Sequence, residues 1–366
     1  LDVSTLRNLE ITETMRNREK RGSLLWVLDK TKTSMGKRML RSWLEQPLLN
    51  IAKITKRHNA VSELVENPSL REDIIEALTG CQDMERLITR IAYSTANARE
   101  LKGLSSTLGR LPAIKTLLAD SKSSMLSELQ HEILPLEELA DTIDRAIVEE
   151  PPFSVREGGM INDGFNEELD SLRDIVANGK GYIADIQLRE QERTGIKKLK
   201  IGYNRVFGYY IEVSNSFKEL VPDDYIRKQT LTNCERFIND ELKKTEARIL
   251  GAKDRITSLE FELFEEVRKK TAAQLERFQK TAAALAQLDV LCSLAKVAAQ
   301  NGYCRPAVNT GGAVLIEGGR HPVVEVLSKT PFVKNDTLLD NSDNRCQIIT
   351  GPNMAGKSTY MRQTAI

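Results

Sequence analysis

Downstream of Asn233 the apolar residues fall into a repeat that fixes much of what the chain can become. Leu242, Ile249, Ile256 and Leu263 recur every seven residues, and Thr245, Ala252 and Leu259 fill the alternate sites. A helix with such a seam needs a second helix to cover it. One lies upstream, from about Phe165 to Arg193, where Phe165, Leu169, Leu172 and Val176 share a face. Between the two the period changes to two: Leu199, Ile201 and Tyr203 alternate, as do Tyr209, Ile211 and Val213, with Gly202 and Gly208 flanking Asn204-Arg205. The pattern predicts a β-hairpin at the tip of an antiparallel helical arm. If the second helix started near Asn233 and ran to Gln300 it would be roughly 100 Å long at 1.5 Å per residue, unless Gly251 or tertiary packing broke it.

Around the tip, Lys197, Lys198, Lys200 and Arg205 outnumber nearby acids, and Arg227, Lys228 and Arg236 follow on the expected helix side. Lys198 and Lys200 are expected on the strand face opposite Leu199 and Ile201, where both could meet a phosphate backbone. A solvated strand face would account for the same residues. The whole chain has 53 basic and 52 acidic residues, a net charge of +1, so any contact with nucleic acid must be local.

Ser23 to Ile147 reads as successive helices with breaks near Pro47, Pro68, Gly80, Pro112 and Pro135. Pro151-Pro152 forces extended backbone and marks a joint. Aromatic residues at 5% and charged residues at 29% favour a mostly helical protein, and 366 residues suggest two or three domains of about 150 each. Cys81, Cys234, Cys292, Cys304 and Cys346 are scattered without CxxC spacing, which fits a reducing compartment rather than disulfides or zinc. The most apolar span, Ala282 to Ala299, carries Asp289 and Lys296, and Leu1 to Lys20 lacks the apolar middle of a signal peptide, so a soluble protein is expected.

From Gly302 the composition shifts to short runs such as Ala313 to Glu317, an α/β pattern that leads to "IITGPNMAGKSTY". Gly351 and Gly356-Lys357-Ser358 have the spacing at which backbone N–H groups wrap phosphates, a lysine reaches the outer ones and a hydroxyl holds Mg²⁺. Gln347 to Thr350 is suited to a buried strand, and Lys357 onward to a helix whose N-terminus favours anions. An ordinary glycine turn would explain the glycines but not Lys357 and Ser358. One strand and one helix cannot bury both faces of a parallel sheet, so this chain is expected to be part of a longer protein; Leu1 in place of an initiator methionine agrees.

"LDVSTLRNLEI", "GYNRVFGYYIEVS", "YIRKQTLTNCERF", "EGGRHPVVE" and "TGPNMAGKSTYMRQ" together resemble, in the same order, stretches of the MutS family of DNA mismatch-repair ATPases. The resemblance implies a mainly α fold with an α/β C-terminal part. Residues 1–181 and 242–300 would be core and lever helices, 182–241 a β-rich clamp, and 301–366 the first part of an ABC-type P-loop ATPase domain. It implies ATP and Mg²⁺ as cofactors, held by Gly351, Pro352, Asn353, Met354, Ala355, Gly356, Lys357, Ser358 and Thr359, with Ser358 on the metal. Phe332 would stack on the adenine, although on its residues alone it reads equally as a core phenylalanine. Ala355 stands where many relatives have glycine. His321 reads as structural.

The clamp would grip duplex DNA through Lys198, Lys200, Arg205, Arg227, Lys228 and Arg236. Mismatched double-stranded DNA, a second copy in a homodimer and a MutL-type repair partner are the implied partners, in a cytoplasmic, nucleoid-associated protein without membrane contact. Mismatch reading would lie before Leu1, and the acidic metal-site motif, signature motif and helix-turn-helix after Ile366. ATP hydrolysis is therefore expected of the intact protein and not of this chain, in which no catalytic set is complete. Two other readings are a MutS-like recombination-suppressing scaffold and an ABC-type chromosome-tethering ATPase. The arms here are short for a tether, and duplex binding measured against salt separates the scaffold.

Overall fold

The computed structural model describes residues 1–366 apart from Arg205 and Met354. In chain order the helices are α1 (Val3–Asn8), α2 (Leu24–Leu28), α3 (Ser34–Glu45), α4 (Ile51–Glu66), α5 (Pro68–Leu78), α6 (Met84–Ala92), α7 (Ala98–Leu108), α8 (Leu111–Leu117), α9 (Ser124–Glu132), α10 (Glu137–Ala146), α11 (Glu167–Ala177) and α12 (Gly179–Thr194). Four strands follow, β1 (Lys200–Asn204), β2 (Gly208–Ser214), β3 (Ile226–Thr230) and β4 (Cys234–Ile238), then α13 (Asp240–Ala272) and α14 (Leu275–Asn301). The C-terminal part holds β5 (Val314–Gly319), α15 (Pro322–Leu327), β6 (Asn335–Leu339) and α16 (Lys357–Ala365). The chain forms two compact units, one of residues 1–95, 103–140 and 271–366, the other of 96–102 and 141–270.

The first unit is assembled around α14, against which α2, α3, α4, α5, α6 and α9 pack. Helix boundaries follow the expected punctuation: Pro68 opens α5, Pro112 lies in the first turn of α8, and Thr33, Asn50, Asn67, Asp83 and Ser123 cap helices with their side chains. α14 is apolar all round, as a helix surrounded by others must be. By length and composition it could cross a membrane, but 67% of its most apolar window is buried within the unit.

Buried polar groups tie that helix down. Asp289, 1% exposed, accepts hydrogen bonds from the Lys32 N–H (2.9 Å), the Thr33 N–H (2.7 Å) and the Thr33 hydroxyl (2.7 Å). The Thr33 hydroxyl in turn accepts from the Gly36 N–H at 2.9 Å and so caps α3. Burial raises the Asp289 pKa, and these bonds only partly oppose the rise. Glycine is required at position 36, because a Cβ there would lie 2.2 Å from the Asp289 carboxylate. One turn on, the Ser293 hydroxyl accepts from the Lys30 N–H and donates to the Leu28 carbonyl, both at 2.7 Å.

In the second unit α12 leads into a four-stranded antiparallel sheet of order β1-β2-β4-β3, and α13 leads out of it. Leu199, Ile211, Val213 and Phe237 pack on Ile183, Ile186 and Leu242 of the two helices. The heptad seam is largely realised: Leu242, Ile249, Ala252, Leu259 and Leu263 are buried, and Thr245 and Ile256 half-buried. The Pro151-Pro152 joint lies in a long loop held by Glu260, 1% exposed, which accepts from the Met160 N–H (3.1 Å) and the Arg173 guanidinium (2.7 Å).

Four expectations need correction. Cys234–Ile238 is a strand, not the start of a helix, because Glu235 and Phe237 alternate inward and pair with β2; α13 begins at Asp240. The expected hairpin forms, as β1 and β2, but it is only half of a four-stranded sheet. The upstream helix breaks at Asn178, and the downstream one at Ala273-Gln274, while Gly251 lies inside α13 without interrupting it. Gln347–Thr350 forms no strand, and Ile348 is 89% exposed; among the described residues the two C-terminal strands, β5 and β6, pair only with each other and are antiparallel.

Replacing Asp289 by Ala strands the Lys32 and Thr33 donors in a dry interior. The expected cost is about 3 kcal/mol of unfolding free energy, read in urea titrations, with Asp289→Asn losing less because one acceptor oxygen survives.

Candidate nucleic-acid interface and phosphate loop

At the tip, two glycines shape the first hairpin. Gly208 has φ +81°, and a Cβ there would strike the Glu246 carboxylate, which accepts the Tyr209 N–H at 3.1 Å and anchors the hairpin to α13. Gly202 lies under the Tyr210 ring, which would be 2.6 Å from an added Cβ. The strands pair in register from Lys200 opposite Glu212 to Asn204 opposite Gly208.

The structure divides the basic residues of the tip into two groups. Lys198 lies in the turn before β1, not on the strand as its spacing suggested, while Lys200 is the first residue of β1. Lys228 is the extra residue of a bulge, since β3 shifts register between Arg227 and Gln229. Lys197, Lys198, Lys200 and Lys228 are exposed and take part in no ion pair among the described residues. Arg205 lies outside those residues.

The other arginines are engaged internally. Arg236 reaches Glu212 (3.2 Å) and Gln229 (3.0 Å) and covers the Tyr210 ring at 4.2 Å, which leaves its side chain 19% exposed. Arg227 pairs with Glu235 at 3.1 Å, and Lys218 reaches the same buried carboxylate at 2.8 Å. Glu212, Glu235 and Glu246 were not singled out from the sequence. Reading β4 as a helix hid the cross-strand pairs that Glu212 and Glu235 make.

The second cluster is the loop before α16. Gly351 and Gly356 have φ of +153° and +92°, and neither would bring a Cβ within 4 Å of another group. Gly356 caps α16 without a side-chain hydrogen bond, and Ser358 is exposed in the first turn. The Lys357 ammonium is turned onto its own loop, donating to the Gly351 carbonyl (2.5 Å) and the Pro352 carbonyl (2.6 Å). Met354 lies outside the described residues; Pro352, Asn353, Ala355 and Gly356 are exposed and Thr359 is half-buried. The donors of this loop fit an anion. For a metal ion it offers the Ser358 hydroxyl, and the described residues contain no cluster of three or more carboxylate, imidazole or thiol groups. Phe332 is half-buried and makes no ring contact among the described residues.

Residues 4–295 match the family model described as MutS domain III. The chain belongs to the MutS family. DNA mismatch repair protein MutS of Lachnoclostridium phytofermentans is 53% identical over the whole chain, which covers 39% of that relative. Those of Acetivibrio thermocellus and Clostridium botulinum are 51% and 50% identical, again over the whole chain, which covers 42% and 40% of them. The chain thus spans about two fifths of the MutS relatives it matches.

His321 has a structural part. It is buried, and its Nδ1 accepts from the Val323 and Val324 N–H groups at 3.3 and 3.4 Å, capping α15. Burial, and then the Arg362 charge, lower its pKa below the usual 6.5. A histidine held neutral in the fold but free to protonate when unfolded removes stability as pH falls from about 6.5 through its folded pKa. Melting temperatures between pH 8 and 5 should therefore fall less for His321→Asn, which can still cap, than for the wild type.

Proposed function

We propose that the chain is the core, lever and clamp of a DNA mismatch-repair protein, together with the start of its ATPase domain. In this reading residues 1–181 and 242–300 form core and lever, 182–241 the clamp and 301–366 the beginning of the nucleotide domain. Family membership supports the repair role. The observation that carries the clamp's part is the set of exposed lysines without a protein counterion among the described residues, Lys198 and Lys200 at the start of edge strand β1 and Lys228 on the opposite edge strand β3.

Such lysines suit phosphates, whose recognition is independent of base sequence. Arg227 and Arg236 serve the clamp differently: by neutralising Glu235 and Glu212 they stiffen the sheet that presents the lysines. Mismatch reading, homodimer formation and a MutL-type partner belong to the longer protein in this proposal, which acts in the cytoplasm on nucleoid DNA.

In the loop before α16, Lys357 and the first-turn N–H groups would hold the phosphates of ATP, and Ser358 would hold Mg²⁺; Phe332 would contact the base. Bound Mg²⁺·ATP supplies a phosphoanhydride that an intact family member hydrolyses. Lys357 has two carbonyl partners to exchange for phosphate oxygens, so its charge is already directed into the loop.

Two measurements test these assignments. Changing Lys198, Lys200 and Lys228 together to Glu should weaken binding of matched and mismatched duplex equally, by at least about tenfold at low salt, and reduce the salt slope by roughly two to three. A loss confined to mismatched duplex contradicts phosphate contact and favours a different role for the tip. Lys357→Ala should abolish whatever Mg²⁺·ATP binding the wild type shows in an equilibrium titration; unchanged affinity contradicts the loop's assignment.

A further inference from the structure

The helix that opens at Lys357 is tied to the N-terminal segment by a residue in an unfavourable conformation. After α1 the backbone closes with the Glu10 N–H on the Arg7 carbonyl (3.1 Å) and the Ile11 N–H on the Leu6 carbonyl (3.0 Å). Leu6 and Ile11 belong to one apolar cluster. This is the Schellman ending of a helix, whose left-handed position is normally glycine. Here it is Glu10, at φ +51°.

What the glutamate adds is its side chain. Oε1 accepts the Met15 N–H at 2.8 Å, Oε2 accepts from Arg362 of α16 at 2.7 Å, and the Glu10 carbonyl accepts the Leu24 N–H at 3.0 Å. The Glu10–Arg362 pair is largely shielded, with side chains 24% and 32% exposed. Leu24 and Ile11 then join Val27, Val297 of α14 and Val323 of α15 in a single core. A strained backbone position retained for a carboxylate that grips another element is a reason to look for a task there.

We propose that Glu10 is a positioning residue for the phosphate loop: through Arg362 it fixes the attitude of α16, and through its other bonds it passes ordering of α16 to residues 10–28 and so to α14. The second half rests on the reading of the Lys357 loop as a nucleotide site. An ion pair shielded from water is less screened than a surface pair, and it is the only ionic contact that α16 makes among the described residues.

Hydrogen exchange of the whole chain, followed by mass spectrometry with and without Mg²⁺·ATP, decides the proposal. Glu10→Gly keeps the left-handed turn at less strain, so its melting temperature should not fall, yet exchange in α16 should be about three- to tenfold faster. Arg362→Glu should speed exchange in both α16 and residues 10–28, and the swap Glu10→Arg with Arg362→Glu should return α16 towards wild type. In the wild type, nucleotide should protect residues 10–28 as well as α16, and in Glu10→Gly α16 alone.

Wild-type exchange of α16 in Glu10→Gly, or no recovery in the swap, overturns the positioning role. Protection confined to α16 in the wild type overturns the transmission. A parallel titration showing no nucleotide binding by the wild type overturns the nucleotide reading and the transmission with it, while the ligand-free arm still decides the positioning role.

Discussion

A carboxylate sits in the middle of the most apolar helix of the chain, and the first unit depends on how it is accommodated. Asp289 could not remain buried in α14 without donors, and the turn ahead of α3 supplies three of them from Lys32 and Thr33. The same threonine caps α3, and the absence of a side chain at Gly36 lets α3 lie against the acid. An apolar helix alone would pack in many rotations about its axis; a buried acid with fixed partners selects one. Glu260 does comparable work in the second unit, where it fastens the loop carrying the tandem prolines to α13 and α11.

Charge is treated differently at the tip of the second unit. There the buried or half-buried acids Glu212 and Glu235 consume Arg236, Arg227 and Lys218, and the sheet keeps lysines outside at a turn, a strand start and a bulge. The arginines, with their planar forks, pair within the sheet, whereas the lysines stay exposed to water.

Much of this was legible in the sequence because it rests on periodicity. The seam from Leu242 to Leu263, the alternation on either side of Asn204 and the breaks at Pro68 and Pro112 each report which face is buried or where a backbone N–H is missing; the breaks and the strand pairing are realised, and the apolar faces are buried except at positions such as Ile256, half-buried, and Tyr203, exposed. Short segments were less legible. Cys234–Ile238 is five residues long, and its pairing with β2 is a property of tertiary structure. Gln347–Thr350 has strand-forming residues but no paired neighbour among the described residues, so composition alone did not make it a strand. In the candidate clamp, residue type and spacing pointed to a basic tip, but only cross-strand geometry separates Lys200 and Lys228 from Arg227 and Arg236. Likewise the part played by Glu10 depends on a bond to a residue 352 positions away.

In the proposed clamp, DNA is met at the tip of the second unit through lysines and without regard to base pairing. Lysine acylation footprinting of the chain, alone and saturated with matched or mismatched duplex, addresses it without any substitution. Contact with phosphates gives protection of Lys197, Lys198, Lys200 and Lys228 to the same degree by both duplexes, lost together as salt is raised. Protection elsewhere with these four unchanged, or protection by mismatched duplex alone, would contradict it.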